Sequence, residues 1–321
     1  MAVFTPVTEA DAQGLLRTLG LGSLHSLAGI AAGIENSNFF VDAEGGRYVL
    51  TVFERLTHAQ LPFYLGLMQH LARKGLPVPA PMADASGNTL FTLHGKPTAL
   101  VSRLRGHHQL APDVMHCEQL GQTLARMHRA VADFPLRQPN LRGLAWRQAT
   151  AQVLLPKLSA DEAELLRDEM RFQLELAASS SHQELPSGAV HADLFRDNAL
   201  FDGLPGREQL SGVFDFYFAG VDTLLFDLAV CLNDWCIDLP TGRLIEPRAA
   251  ALVAAYQAER PLSPTEHRLL PGLLRAAALR FWLSRLDDWH RPRSAEMLTP
   301  HDPRHFERVL RERRAQPWHA Q

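Results

Sequence analysis

The 321-residue chain has no uninterrupted apolar stretch near the roughly 18 residues that a membrane-spanning helix requires, so no span of that kind is expected. Cysteine is scarce. Cys117, Cys231 and Cys236 form an odd, sparse set that argues against a disulfide framework and for a reducing cytoplasm. Four residues separate Cys231 from Cys236, a poor zinc spacing, so buried packing thiols are expected there. The charge is close to balanced. The formal net charge of -3 gives no reason to expect nucleic acid or an anionic membrane as a partner. The amino terminus, Met-Ala-Val-Phe-Thr-Pro, lacks the basic start and apolar core of a signal peptide. Internal repeats and low-complexity segments are lacking too. What the chain does have is apolar side chain, 46% of its residues, which supports sizeable cores in about two domains.

The pattern along the chain divides it. Thr8 to Asp11 reads as a helix start ahead of Leu15, Leu16 and Leu19. Phe39 to Val41 and Tyr48 to Phe53 are extended runs around Asp42-Ala-Glu-Gly-Gly46, a hairpin turn. Thr57 to Gln60 fits a capping box for a helix carrying Leu61, Tyr64, Leu65, Met68 and Leu71, which stops at Gly75 before Pro77 and Pro79. Asn88 to Leu93 and Thr98 to Val101 make a second hairpin about His94-Gly-Lys-Pro97. After Gly106 the pattern becomes helical, with Leu120, Leu124 and Met127 on one stripe and a long helix expected over 147–178. Several helices then run to about 290, and the Pro- and Arg-rich tail from Arg291 reads as irregular. The fold class expected is α+β and two-lobed. A small antiparallel-sheet lobe covers 1–103, a hinge lies near 102–107, and a larger helical lobe covers 104–321. A ligand would sit at the domain interface.

One segment interrupts the helical region. His191-Ala-Asp193-Leu-Phe-Arg-Asp197-Asn198 is followed by Asp215, in Gly-Val-Phe-Asp-Phe at the end of an apolar run. Short strands, Asn198 to Phe201 and Val213 to Phe214, flank a Gly/Pro turn between them. In protein kinases an Asp accepts the substrate hydroxyl proton, while an Asn four intervening residues later and a further Asp hold magnesium. Asp193 and Asn198 reproduce that gap. Asp193 is therefore the candidate base, and Asn198 and Asp215 are hard oxygen ligands suited to Mg²⁺ beside nucleotide phosphates. His191 is read as structural support and Asp197 as a turn cap. A bland alternative is a polar loop of any α/β protein, but the strand–turn–strand and second acid favour the kinase reading. A metallohydrolase using His191, Asp193 and Asp197 competes, without a further His cluster at ligand spacing.

The chain resembles the aminoglycoside-phosphotransferase-like kinase superfamily and, within it, the type II homoserine kinases of bacteria. The residues that carry this span almost the whole chain. They are Gly33 to Phe39, Gly46 to Glu54, Leu76-Pro-Val-Pro-Ala-Pro81, 191–198, Gly212 to Gly220 and Phe226 to Cys236. The resemblance implies a protein-kinase-like fold, ATP with Mg²⁺, and O-phosphorylation of L-homoserine on the route to threonine. It carries the base role to Asp193, the metal roles to Asn198 and Asp215, and a structural bracing role to Asp227. The turn from Ile34 to Asn38 matches a loop over the phosphates, so Asn36, Ser37 and Asn38 are nucleotide-binding candidates. The segment from Thr98 to Leu104, with Val101 and Arg103, would meet the base as the hinge.

One departure stands out. Superfamily members carry Lys or Arg on the strand reading Tyr48-Val-Leu-Thr51, paired with a Glu of the next helix. This chain has Thr51, and no Glu or Asp between Thr57 and Lys74. Both halves of the pair are missing together, which is coherent, because a lone buried charge is costly. Mg²⁺, loop amides, Arg47 or Arg103 would then neutralise the phosphates. For a zwitterionic amino-acid substrate, Arg280 on a late helix is the candidate carboxylate partner, with Asp234 and Trp235 completing the pocket. On that helix Arg280, Ser284 and Asp287 share one face, and Arg285 and Asp288 another. An Arg–Asp pair on each face is the competing expectation. Kinases of choline, methylthioribose or aminoglycosides, and a non-catalytic nucleotide-binding pseudokinase, remain the alternative readings.

Overall fold

The computed structural model describes residues 4–30, 36–291 and 301–320. They fall into two compact units, Met1–Gly106 with Ser211–Phe214, and His107–Leu210 with Asp215–Gln321.

The first unit opens with α1 (Glu9–Leu19). Its capping box joins Thr8 and Asp11, and Gly20 closes it in the left-handed conformation. A five-stranded antiparallel sheet follows, built from β1 (Leu24–Gly29), β2 (Asn36–Ala43), β3 (Gly46–Phe53), β4 (Phe91–Leu93) and β5 (Lys96–Ser102), in the order β1-β2-β3-β5-β4. Alternation along β2 and β3 sends Phe39, Val41, Leu50 and Val52 to the face that packs with Val7, Leu15 and Leu16. Asn38, Phe40 and Asp42 therefore point to the other face. The β4–β5 turn places His94 and Gly95 at φ of 50° and 75°, the pair of positive dihedrals that a two-residue hairpin requires.

Between β3 and β4 lies α2 (Leu61–Arg73), ended by Lys74 and by Gly75 at φ 77°. The expected capping box forms only in part. The Gln60 side-chain oxygen Oε1 accepts from both the Thr57 amide and hydroxyl at 3.0 Å, so the hydroxyl donates instead of capping an amide. The chain later returns to this unit, where the Val213 amide donates to the Pro77 carbonyl and the Ser211 hydroxyl to the Arg105 carbonyl.

The second unit is mainly helical. It contains α3 (Val114–Ala130), α4 (Leu144–Leu154), α5 (Ala160–Ala178), the short α6 (Ser180–Gln183), α7 (Leu224–Trp235), α8 (Glu246–Glu259), α9 (Pro264–His290) and α10 (Arg304–Ala315). Two small antiparallel ribbons interrupt the helices. β6 (Ser187–Val190) pairs with β9 (Gly220–Thr223), and β7 (Ala199–Asp202) with β8 (Gln209–Val213). α3 approaches α8 closely at Gly121, where a Cβ would lie 2.1 Å from the Leu252 carbonyl oxygen. The three cysteines are buried thiols, and none is in a disulfide. No described helix is long and apolar enough to cross a membrane.

Two sequence expectations are corrected. The helix expected over 147–178 is two helices, because Pro156 lacks the amide that would continue α4 and Ser159 caps α5 with a new capping box. The tail expected to be irregular contains α10, whose Phe306, Val309, Leu310 and Arg313 are buried at helical spacing. Residues 292–300 of that tail lie outside the described residues.

Candidate active site

In the second unit, the segment 191–198 is suspended from α7 by two carboxylates one helical stretch apart. Asp227, fully buried near the start of α7, accepts from the backbone amides of His191 and Ala192 at 2.8 Å each. This holds Ala192 at φ 63°, a left-handed conformation unfavourable for a residue with a Cβ. His128 of α3 adds its Nε2 to Asp227 at 3.1 Å, and its Nδ1 meets the Tyr256 hydroxyl at 2.7 Å. Burial pushes the Asp227 carboxyl up, but the hydrogen bond and charge of His128, the charge of His191 and the His191 amide outweigh it, and the net direction is down.

Asp234, one helical stretch later, does the same for the far half of the loop. It accepts from the Arg196 amide at 2.8 Å and from Arg196 Nε at 3.1 Å. The guanidinium also donates to the carbonyls of Asp234 and Leu110. Burial pushes the Asp234 carboxyl up against the opposing charge of Arg196. Trp235, fully buried, donates its indole N–H to the Leu194 carbonyl at 3.0 Å. Asp234 and Trp235 were candidates for the substrate pocket on sequence grounds, and in the fold both hydrogen-bond to the loop's backbone. Arg196 and His128 were not singled out in the sequence. Arg196 lies inside the motif, whereas nothing local distinguishes His128 from any helical histidine.

The same loop brings Asp193 and Asn198 together. The Asn198 side-chain amide donates to the Asp193 carbonyl at 2.8 Å and approaches its carboxylate at 3.5 Å, which leaves Asn198 Oδ1 as the acceptor of that side chain. Arg280 of α9 reaches the Asp193 carboxylate at 3.6 Å with its side chain only 5% exposed. The guanidinium also lies over the Phe281 ring at 3.8 Å. Asp287, expected as its alternative partner, pairs with Arg291 instead. Arg285 points to α10, over Phe306 and within 3.3 Å of the Asp302 carbonyl.

Asp215 follows β8 and has φ 64° and ψ 58°, again left-handed for a residue with a Cβ. Such conformations are stored at sites that need a side chain aimed in one direction. The next ring, Phe216, packs on the His191 imidazole at 4.6 Å, which ties the Asp215 turn to the 191–198 loop. Two oxygen-bearing side chains, Asn198 and Asp215, are a sparse donor set. That fits Mg²⁺, which keeps waters and phosphate oxygens as its other ligands, better than an all-protein metal cage.

The first unit carries the other candidates. Ser37 is fully buried on the core face of β2, where its hydroxyl accepts from the Phe4 and Thr5 amides and donates to Glu54 at 2.6 Å. Lys96 joins Glu54 and the Thr5 hydroxyl. This Lys–Glu pair therefore ties the segment at Phe4 and Thr5 to the sheet, on the face opposite to Asn38. Thr51 of β3, where the sequence lacks the expected cation, donates to Asn38 Oδ1 at 2.8 Å. Arg103 lies over Phe40 at 3.8 Å and at the same distance from Asp42. Its amide meets Arg47, four residues along β3 from Thr51, or about 13 Å at strand rise. Val101 is buried in β5 opposite Val49. Asn36 begins β2, while Ile34 and the rest of the expected phosphate loop through residue 35 lie outside the described residues.

Comparison with known proteins fits this arrangement. Residues 26–271 match the Phosphotransferase enzyme family, and the chain belongs to that family. It is 58% identical over 318 residues to a protein named homoserine kinase from Polaromonas naphthalenivorans (strain CJ2), covering 99% of each chain. It is 54% identical to another of that name from Janthinobacterium sp. (strain Marseille), covering 97% of this chain and 95% of that one. Among solved structures it is similar in fold to the amicoumacin kinase hAmiN, at TM-score 0.68 and 16% identity over 95% and 93% of the two chains. A microcompartment-associated aminopropanol kinase matches at TM-score 0.65 and 17% identity over 95% and 94%.

Proposed function

We propose that the chain transfers the γ-phosphoryl group of ATP to the side-chain hydroxyl of L-homoserine, giving O-phospho-L-homoserine and ADP. The observation that carries this reading is the 58% identity to a protein named homoserine kinase across 99% of both chains. The site chemistry supports it. Asp193 orients the acceptor hydroxyl and takes its proton as the oxygen bonds to the γ-phosphorus and the bond to the β,γ-bridging oxygen breaks. Asn198 Oδ1 and the Asp215 carboxylate would hold Mg²⁺, which supplies charge neutralisation to the phosphates. Arg280, buried beside Asp193, takes the α-carboxylate of the substrate with its fork of donors. Asp227 and Asp234 fix the loop so that Asp193 is preorganised. Asn38 and Thr51 offer neutral donors and acceptors to the nucleotide in place of a lysine. Ser37 acts beneath them as an anchor, and Val101 and Arg103 belong to the hinge that meets the base.

Coupled ADP release is the test, with L-homoserine, choline, methylthioribose and an aminoglycoside as acceptors. Release is expected with homoserine alone. Turnover with another acceptor only would reassign the substrate, and no turnover with any would favour a nucleotide-binding protein without catalysis.

A further inference from the structure

Away from the 191–198 loop, the second unit contains a cavity of about 130 Å³ between α4, α5, β9, α7 and α9. Its floor holds a buried cation. Arg147 of α4 is only 8% exposed, one terminal nitrogen donates to the Ala276 carbonyl at 3.4 Å, and Nε has no hydrogen-bond partner among the described residues. Its guanidinium carbon lies 5.9 Å from the Phe226 ring centre, a weak compensation for lost hydration. Burial pulls the guanidinium below its ordinary value, and Asp222 and Glu169 oppose this only through space.

Asp222 lines the same cavity. Its carboxylate accepts from Asn140 Nδ2 at 2.8 Å and from the Thr223 amide at 2.7 Å, which leaves further lone pairs. A cation and an anion thus face one space without closing on each other. Gln173 and His182 add polar atoms to the wall, and Leu273 and Phe226 add apolar surface. A buried charge without a partner is expensive, and a cavity of this size is comparable to ones that admit a six-atom ring.

We propose that this cavity binds a small zwitterionic amino acid, its carboxylate on Arg147 and its ammonium group on Asp222. Neither a simple anion nor a simple cation satisfies both walls. The site is separate from the proposed homoserine pocket. It shares helices with it, since α9 carries Ala276 here and Arg280 one turn later, and α7 carries Phe226 here and Asp227 beside it.

Thermal unfolding of the full chain tests this, with ATP and Mg²⁺ present but homoserine left out, because homoserine is itself a zwitterionic amino acid and would compete for the cavity. L-alanine, L-valine and L-threonine are the probes, and acetate and methylammonium are the one-charge controls. At least one amino acid is expected to raise Tm by about 2–4 °C above either control. The rise should vanish in Arg147→Met. Because that variant removes a buried group and its fold is at risk, Ala177→Leu, which fills the cavity wall and keeps Arg147, should abolish the rise as well. Basal turnover is read in parallel and should survive in Ala177→Leu. If no amino acid exceeds acetate, or if the rise persists in Ala177→Leu, the amino acid does not bind in this cavity and the proposal is overturned.

Discussion

The Arg280 guanidinium stands 3.6 Å from the Asp193 carboxylate, although one comes from the middle of α9 and the other from a loop far earlier in the chain. Both side chains are largely buried, so solvent screens the attraction little. An arginine there can orient the base and remain within reach of a substrate carboxylate. Arg280→Met is expected to raise KM for homoserine by roughly 10–100-fold while KM for ATP changes little, and Arg280→Lys to recover only part of it, because a point charge lacks the fork. Steady-state kinetics with each substrate varied separately reads this. Equal rises in both KM values would assign Arg280 a merely structural part.

Asp193→Asn keeps the shape of the loop and removes the proton acceptor. It is expected to lower kcat by about 10²–10⁴-fold, the usual contribution of a positioned base. ATP binding, measured by titration calorimetry, should be retained. Turnover near the wild-type rate would take the base role from Asp193.

Asp227 carries a pH signature. Burial pushes its carboxyl up, but the hydrogen bond and charge of His128, the charge of His191 and the His191 amide hold it below its ordinary value in the fold. A group depressed on folding adds stability above its unfolded value, near 4, and loses it as pH falls through the folded value. Asp227→Asn should therefore be less stable than wild type at pH 6–7, and the gap should narrow below about pH 4. Urea unfolding at stepped pH measures it, and a gap constant with pH would contradict the argument.

His305 of α10 behaves in the opposite sense. Burial and the nearby charges of Arg285, Arg308 and Arg196 lower it to about 4. The unfolded chain then takes up its proton first, so this residue removes stability as pH falls from about 6.5 towards 4. The side chain is partly solvated, so the effect is modest. His305→Gln is expected to lose less stability than wild type over that window, again by urea unfolding.

Gly121→Ala tests the packing of α3 on α8. The new methyl would stand 2.1 Å from the Leu252 carbonyl oxygen, and backbone cannot yield cheaply. A loss of about 1–3 kcal/mol is expected, seen as a lower midpoint in denaturant with unchanged slope. An unchanged midpoint would mean that the two helices separate without penalty.

Much of this was legible along the chain because the signals are local. The spacing of Asp193 and Asn198, the hairpin turns at 44–46 and 94–95 and the amphipathic stripe of α3 depend on neighbours within a few residues. The break at Pro156 was missed, because helical periodicity on either side hid it. α10 had the spacing of Phe306, Val309, Leu310 and Arg313, masked by a tail rich in proline and arginine. The side of the sheet that Ser37 occupies follows from β alternation, but that its partners are Glu54 and Lys96 depends on which strands pair.

The sequence by itself determined the chemistry available, because an acid, an amide and a second acid at fixed spacing within one loop and its following strand need no distant partner to be recognised. Tertiary structure alone decided which cations and braces meet them. Arg280 reaches Asp193, Asp227 gathers His128 and two amides, and Asp234 and Trp235 turn to the loop's backbone. Those contacts join residues from different helices, and helical periodicity fixes only a face, whereas packing fixes what that face touches.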